Sequence, residues 1–221
     1  MSGLKDGERV VVRGAFALDA DLQIRGGESM MTMDDDQARE ARSPVEVSDK
    51  FLKGLAPVLE AYLEAHAKLA SDDAEGAKEA YALLAKRVNA FDPRAPEEAR
   101  EVWQKIAKPL LATARQAAKA ADIAELRRGF GRASQRMIEA LQRFGNPLST
   151  PVRLAFCPMA FDNKGALWLQ HAGEVENPYF GAEMHKCGEI RHSVVERQRL
   201  GPHAGHLEKP KPAAAPTGHD H

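Results

Sequence analysis

Residues 122–145 are DIAELRRGFGRASQRMIEALQRFG, and this stretch decides the fold class. Its apolar residues recur at spacings of three and four, which places them on one face of a helix. They are Ile123, Leu126, Phe130, Ala133, Met137, Leu141 and Phe144. Asp122 and Glu125 form an N-terminal capping pair, and Gly145 followed by Pro147 is a C-terminal stop signal. The stretch therefore predicts a long amphipathic helix that buries one face against other elements.

Three stretches upstream have the same periodicity. The first is predicted to begin at Ser43, with Pro44 at the first helical position and Glu46 completing a capping box. The second follows the capping sequence at residues 71–73, and the third starts at Pro96, ahead of two glutamates that suit the positive end of a helix dipole. Four amphipathic helices joined by short links predict a mainly α fold, an antiparallel up-down four-helix bundle.

Five single residues, four of them inside this pattern, carry their own expectations. Pro57 is expected to kink the first helix or to mark a restart, and Pro109 lies in the same way inside the third. His66 lies on the apolar stripe of the first helix, where a core or boundary histidine is expected rather than a ligand. Trp103 and Trp168 are expected to be core anchors.

The chain outside the bundle changes character along its length. Residues 1–28 are rich in Gly and Val, and because so short a piece cannot bury a core of its own, they are expected to be the remnant of a larger β-domain. Residues 29–42 are expected to be a linker. Residues 43–200 are expected to hold the bundle and a C-terminal element with its cysteines and methionines, and residues 201–221, rich in Pro, Ala and His, are predicted to be disordered.

The C-terminal element has strand-like patterns. Val152, Leu154 and Phe156 alternate with other residues, which predicts a strand. A second short apolar run covers residues 166–169, and residues 189–195 are predicted to form a final strand. We expect a small β-hairpin or irregular element packed on the bundle.

Sulfur residues mark the candidate site of this element. Cys157 and Met159 form one close pair, and Met184 and Cys187 form another. Thiolate and thioether sulfurs are soft ligands that select Cu(I), Ag(I) or related ions over harder cations. His185, next to Met184, is a borderline ligand. The residues therefore predict a metal site for Cu(I) or Ag(I) made of Cys157, Met159, Met184, Cys187 and His185.

Other interpretations of the two cysteines stay open. Cys157 and Cys187 could form a disulfide that staples the element, with the methionines as core filler. They could also be two inert buried thiols. A thiol-redox enzyme that uses Cys157 is the least favoured reading, since neither cysteine opens a predicted helix and the sequence has no Cys-x-x-Cys pair.

Two further groups of candidate ligands lie towards the ends of the chain. Closely spaced imidazoles in the C-terminal tail could scavenge Cu(II), Ni(II) or Zn(II). These imidazoles belong to His203, His206, His219 and His221. In the linker, Met30, Met31 and Met33 could hold Cu(I) through three thioethers. The alternatives are a solvated tail and an incidental methionine cluster.

Composition excludes several classes of function. The chain has 31 Lys and Arg against 32 Asp and Glu, a formal net charge of -1, so it lacks the basic excess of a nucleic-acid binder. No apolar run approaches the roughly 20 residues that a membrane-spanning helix needs. We find no Ser/His/Asp set, acid/base carboxylate pair or phosphate-binding loop, so no enzyme, organic cofactor or small-molecule substrate is predicted.

Two stretches resemble known families. Residues 3–21, GLKDGERVVVRGAFALDAD, resemble the last strands of the membrane-proximal domain of RND-type periplasmic adaptors, the membrane fusion proteins of the HlyD/CusB type. Residues 48–192 resemble a bacterial domain of unknown function that is often fused after heavy-metal efflux adaptors. The residues that carry this second resemblance are CPMA at 157–160, GALWL at 165–169 and NPYFGAEMHKCG at 177–188.

The resemblance implies a periplasmic location and a link to copper- or silver-type resistance. It also implies the inner- and outer-membrane components of an efflux pump as partners. No signal peptide is visible, and the other adaptor domains are absent from the sequence, so we expect the chain to be an N-terminally truncated adaptor. Two roles follow as hypotheses: a non-enzymatic metal-binding and assembly module, or a structural interaction domain with a Cys157–Cys187 disulfide and no metal.

Overall fold

The computed structural model describes residues 43–202 together with residues 204 and 205. Within these residues four long helices follow one another: α1 Asp49–Ala70, α2 Ala74–Ala90, α3 Glu97–Ala117 and α4 Ile123–Arg143. The predicted β remnant (1–28), the linker (29–42) and most of the predicted tail (201–221) lie outside the described residues.

The start of α1 differs from the prediction. Ser48 caps this helix, because its hydroxyl accepts a hydrogen bond from the Phe51 backbone N–H at 3.3 Å. Val45 is buried ahead of the helix, where its backbone N–H donates to the Arg143 carbonyl at 2.9 Å. The predicted start at Ser43 is therefore wrong, because the residues before α1 pack along the end of α4 instead of extending the helix.

The predicted caps of two other helices are confirmed. At the start of α2, the Asp73 carboxylate accepts from the Gly76 N–H at 2.8 Å. At the start of α4, the Asp122 carboxylate accepts from the Glu125 N–H at 2.7 Å, and the Glu125 carboxylate accepts from the Ala121 N–H at 3.0 Å. These bonds satisfy backbone donors that the first turn of a helix leaves without partners.

Two prolines lie inside helices, and one glycine lies at the end of a helix. Pro57 lies inside α1 and Pro109 inside α3, and each helix continues through its proline, so the predicted restart at Pro57 does not occur. Gly145 ends the run of α4 as predicted. Its φ is +92°, and a Cβ there would lie 2.6 Å from the carbonyl oxygen of Arg197. Only glycine suits both the left-handed backbone and this close approach.

The four helices pack together around one apolar core. Each helix contacts the next one, and α1 also contacts α4. Because the links are short, consecutive helices run antiparallel. The fully buried side chains between them include Leu55, Leu59, Leu84, Ile106 and Leu110. Trp103 is buried as well, as predicted. The mainly helical fold class is confirmed, and among the described residues no helix is long and apolar enough to cross a membrane.

A small antiparallel sheet follows the bundle. Its strands are β1 Val152–Cys157, β2 Ala166–His171 and β3 Glu189–Val194, in the order β2-β1-β3. The three predicted strand patterns are thus confirmed, and together they make a three-stranded sheet with β1 in the centre. Strand β2 lies against α4 and α1. The Leu169 backbone N–H donates to the buried Tyr62 hydroxyl of α1 at 3.0 Å, and Trp168 is fully buried as predicted.

The described residues after β3 return to the bundle. The Gln142 side chain of α4 donates to the carbonyls of Gly201 and Pro202 at 3.1 and 3.3 Å. Ala204 is buried, with 6% of its surface exposed. The described part of the range 201–221 therefore packs against α4.

Candidate thiol and metal site

The two cysteines of the chain lie side by side. Cys157 is the last residue of β1 and is fully buried, while Cys187 lies just before β3 and is half-buried. Their Sγ atoms are 3.4 Å apart, although 30 residues separate them in sequence. The register of the sheet explains the contact. Phe156 pairs with Glu189 in the antiparallel β1–β3 ladder, so the chain just before Glu189 passes beside Cys157.

The distance between the two Sγ atoms lies between the value for a disulfide bond and the value for two thiolates that share one metal ion. A disulfide bond is about 2.05 Å long. Two thiolates bound to one ion at about 2.3 Å are about 3.8 Å apart at a tetrahedral angle and about 4.0 Å apart at the trigonal angle of a three-coordinate site. Both cysteines are free thiols here, so a small movement inward permits a disulfide and a small movement outward permits coordination of one ion.

The protonation of Cys187 is set by its surroundings. Burial raises the pKa of the Cys187 thiol, and the hydrogen bond with Cys157 and the charge of that neighbour raise it further. A raised pKa keeps a thiol neutral near neutral pH. A metal ion that binds here must therefore displace a proton from Cys187, which makes binding stronger as the pH rises.

Asn177 closes the segment that carries Cys187. Residues 177–188 are called the clasp loop below. The Asn177 side chain accepts from the Tyr179 N–H at 2.8 Å and donates to the Cys187 carbonyl at 2.6 Å. Its backbone N–H donates to the His185 carbonyl at 2.7 Å. Asn177 is fully buried. One side chain thus joins the two ends of the clasp loop and fixes the backbone at Cys187.

An aspartate at the corner between α1 and α2 ties the clasp loop to the bundle. The Asp72 carboxylate accepts from the Ala182 N–H at 2.8 Å and from Arg127 Nη2 at 2.5 Å. Arg127 Nε donates in turn to the Pro178 carbonyl at 3.0 Å. The Ala182 N–H bond is the main reason why the pKa of Asp72 is lowered. Gly181 passes so close that a Cβ there would overlap the Asp72 carboxylate and Arg127.

Two histidines make further connections to α1. His66 Nε2 lies 2.8 Å from the Glu176 carbonyl, and His185 Nδ1 lies 3.1 Å from the Ala70 carbonyl. A carbonyl only accepts, so each of these nitrogens donates. His66 is buried, as its place on the apolar stripe predicted, and burial lowers its pKa to about 4. His66 is therefore neutral at neutral pH.

Met159 and Met184, the two predicted thioether ligands, lie on different segments of the chain. Met159 follows β1 and is 45% exposed. Met184 ends a short helical turn, Gly181–Met184, and its carbonyl accepts from the Cys187 N–H at 2.9 Å. Across residues 43–202, 204 and 205, no hydrogen bond joins either thiol to a methionine sulfur, and no three His, Cys, Asp or Glu side chains form a group that could hold a metal. The structure brings together Cys157 and Cys187.

The other predicted metal groups are not described. The tail histidines and the linker methionines fall outside the described residues. They are His203, His206, His219, His221, Met30, Met31 and Met33. Their roles stay predictions.

A family model matches most of the helical bundle. Residues 58–148 match the family described as Protein of unknown function (DUF3347). No curated protein and no solved structure matches the chain. The match runs from within α1 to just beyond α4, so a domain of unknown function is confirmed for residues 58–148, and the rest of the predicted range 48–192 stays a prediction. Cys157 and Cys187 follow the matched residues.

Sequence reasoning missed the residues that hold the clasp loop against the DUF3347-like bundle. The sequence places Asp72 only in the capping segment at residues 71–73, and no pattern in it singles out Arg127. The Asn-Pro-Tyr-Phe-Gly sequence of residues 177–181 is typical of a turn, but Asp72, which binds the next residue Ala182, is 110 residues away in sequence. No local signal reveals such a contact.

A separate cleft lies between the start of α1 and the end of α2. Its volume is about 640 Å³, and the rings of Phe51 and Phe91 that line it meet edge to face at 5.2 Å. Lys50, Arg87 and Arg94 also line it. Within the described part of the chain, these three cations make no ion pair. The cleft combines an aromatic surface with unpaired positive charge.

Proposed function

We propose that this chain is a non-enzymatic metal-binding and assembly module of a periplasmic adaptor in a copper- or silver-type efflux system. Cys157 and Cys187 hold one Cu(I) or Ag(I) ion between them. The observation that carries this proposal is the 3.4 Å contact between the two Sγ atoms, which unites the only two thiols of the chain.

The ligand chemistry favours a soft monovalent ion. Structural zinc sites take four Cys, His or carboxylate ligands. The described residues contain no group of three such side chains. Two thiolates with one methionine thioether suit a soft ion such as Cu(I) or Ag(I), because thiolate and thioether sulfurs are soft ligands. Met184, Met159 and His185 are the proposed candidates for that additional ligand.

The bundle and its context supply the rest of the proposal. The helices form a rigid base on which Asp72 and Arg127 hold the clasp loop. The periplasmic location and the pump partners, which are inner- and outer-membrane components, rest on the resemblance of residues 3–21 and 48–192 to adaptors and their fused domain. The DUF3347 match supports the bundle only as a domain of unknown function.

A competition titration tests the metal site. The reduced full chain is titrated with Cu(I) against a coloured Cu(I) chelator, beside a variant with both Cys157→Ala and Cys187→Ala. We expect the double variant to bind Cu(I) about 100-fold more weakly or worse. A third variant, Met137→Leu, changes a fully buried sulfur in α4 and serves as the matched control. Equal affinity in the double variant and the wild type would remove this site from consideration.

A second candidate function is a structural interaction domain. The cleft favours it, because Phe51 and Phe91 offer an aromatic surface beside the cations Lys50, Arg87 and Arg94. In this alternative Cys157 and Cys187 form a disulfide and no metal binds. Mass spectrometry of a chain that is first reduced and then exposed to Cu(I) separates the two functions: a chain that returns to about two mass units lighter and retains no metal favours the structural disulfide.

A further inference from the structure

We propose that Cys157 and Cys187 form a reversible redox switch, in which closing an intramolecular disulfide expels the bound metal ion. This inference rests on the proposed function, because it assigns a regulation to the same two sulfurs. The reduced pair binds the soft ion, and the oxidised pair does not.

The backbone around the thiols keeps them within reach of each other in both states. Cys157 ends the central strand β1 and pairs with Ala166 of β2. On the other side, Gly188 adopts φ +133°, and a Cβ there would lie 2.7 Å from the Phe156 carbonyl oxygen. The clasp loop thus passes directly against β1 next to Cys157. Closing the 3.4 Å gap to a bond of about 2.05 Å needs only a small side-chain movement.

Exposure gives the two thiols different roles in oxidation. Cys187 is half-buried and meets an oxidant first, whereas Cys157 is fully buried. A small-molecule disulfide such as oxidised glutathione is the proposed oxidant. The Cys187 thiolate attacks one of its sulfurs, so a mixed disulfide forms and one glutathione thiolate leaves.

The second step completes the exchange. Cys157 loses its proton and its sulfur attacks Cys187 Sγ, which forms the intramolecular disulfide and expels the second glutathione. Two protein thiols are oxidised to one disulfide, and one glutathione disulfide is reduced to two thiols. The protons of the cysteines end on the departing glutathione molecules.

Metal binding and disulfide formation exclude each other. An ion between the sulfurs needs thiolates, and a disulfide has none. By linkage, a bound ion protects the pair from oxidation as much as oxidation weakens binding. In the oxidising periplasm, the pair would therefore keep an ion for as long as that ion protects the thiols, and a chain that has lost its ion would have to be reduced before it binds again.

Silver is the probe for the test, because Ag(I) does not change its oxidation state during the measurement. The full chain is prepared reduced, or oxidised with oxidised glutathione, and each form is loaded with Ag(I), desalted and analysed for retained silver. A third sample is loaded with Ag(I) before oxidised glutathione is added. Cys187→Ser, which changes the half-buried thiol, is the control, and circular dichroism checks its helices.

We expect the reduced chain to retain about one Ag(I) ion more than the oxidised chain. The preloaded chain should form the disulfide far more slowly than the free reduced chain. Equal retention by both forms, or no intramolecular disulfide after treatment, would overturn the switch alone. A reduced chain that retains no Ag(I), or a Cys187→Ser variant that retains as much as the wild type, would instead refute the metal site itself.

Discussion

The Asp72 carboxylate accepts a hydrogen bond from the Ala182 backbone N–H at 2.8 Å, across 110 residues of sequence. Asp72 lies at the corner between α1 and α2, where it has a left-handed φ of 60°. Ala182 lies in the clasp loop, five residues before Cys187. This contact is one of several that join the helical bundle to the segment that positions the half-buried thiol.

Replacing Asp72 should loosen the clasp loop without unfolding the bundle. In Asp72→Ala, the Ala182 N–H and the Arg127 guanidinium lose their shared acceptor. The side chain is 40% exposed, so solvent screening limits the loss of stability to about 1 kcal/mol. Hydrogen exchange should quicken at the amides of residues 179–187 and stay slow in α3. Asp92→Ala, an exposed aspartate between α2 and α3, is the control, and equal exchange in both variants would contradict the tether.

Gly181 should tolerate no side chain. Its φ is +59°, and a Cβ would overlap the Asp72 carboxylate and the Arg127 guanidinium. We therefore expect Gly181→Ala to lower the free energy of unfolding by about 2 kcal/mol, from backbone strain and from displacement of this ion pair. Gly201→Ala is the matched control, because nothing lies within 4 Å of its Cβ position. Urea unfolding of both variants checks the difference, and similar midpoints would show that the clasp loop adapts freely.

Sequence patterns predicted some elements of this fold and not others. Apolar residues at spacings of three and four predicted α4. These residues face the core, and Leu126 and Phe130, for example, are fully buried. The start of α1 could not be found in this way, since the hydrogen-bond partner of Val45 is Arg143 at the end of α4, far away in sequence. Local sequence patterns predict which face of a helix is buried and which residue caps it. They do not predict contacts between elements that are distant in sequence.

The candidate site follows the same rule. Residue chemistry singled out Cys157 and Cys187, but it left a disulfide, a metal pair and inert thiols open. The β1–β3 register brings the two thiols together, and that register depends on strand pairing across 30 residues. The sequence therefore identified the two cysteines, but it could not predict the distance between their sulfur atoms.

Cys187 should be alkylated slowly near neutral pH. Burial and the neighbouring Cys157 raise the pKa of its thiol, so the reactive thiolate becomes abundant only at higher pH. We expect the iodoacetamide rate to keep rising with pH above the midpoint found for free glutathione. In Cys157→Ala the hydrogen bond and the nearby charge are gone, so the midpoint should move to lower pH. An unchanged midpoint in this variant would mean that Cys157 does not influence Cys187.

Acid should destabilise the fold through His66. Its pKa is about 4 in the folded chain, lowered from 6.5 mainly by burial. Between these values the unfolded chain binds a proton that the folded chain does not, so stability falls as the pH drops from about 6.5 to 4, by up to roughly 3 kcal/mol. His66→Gln keeps a donor for the Glu176 carbonyl but cannot titrate, so its urea midpoint should fall less between pH 7 and pH 4.5. His192→Gln, at an exposed position on β3, is the control and should follow the wild type. If His66→Gln also follows the wild type, then protonation of His66 does not drive the acid sensitivity.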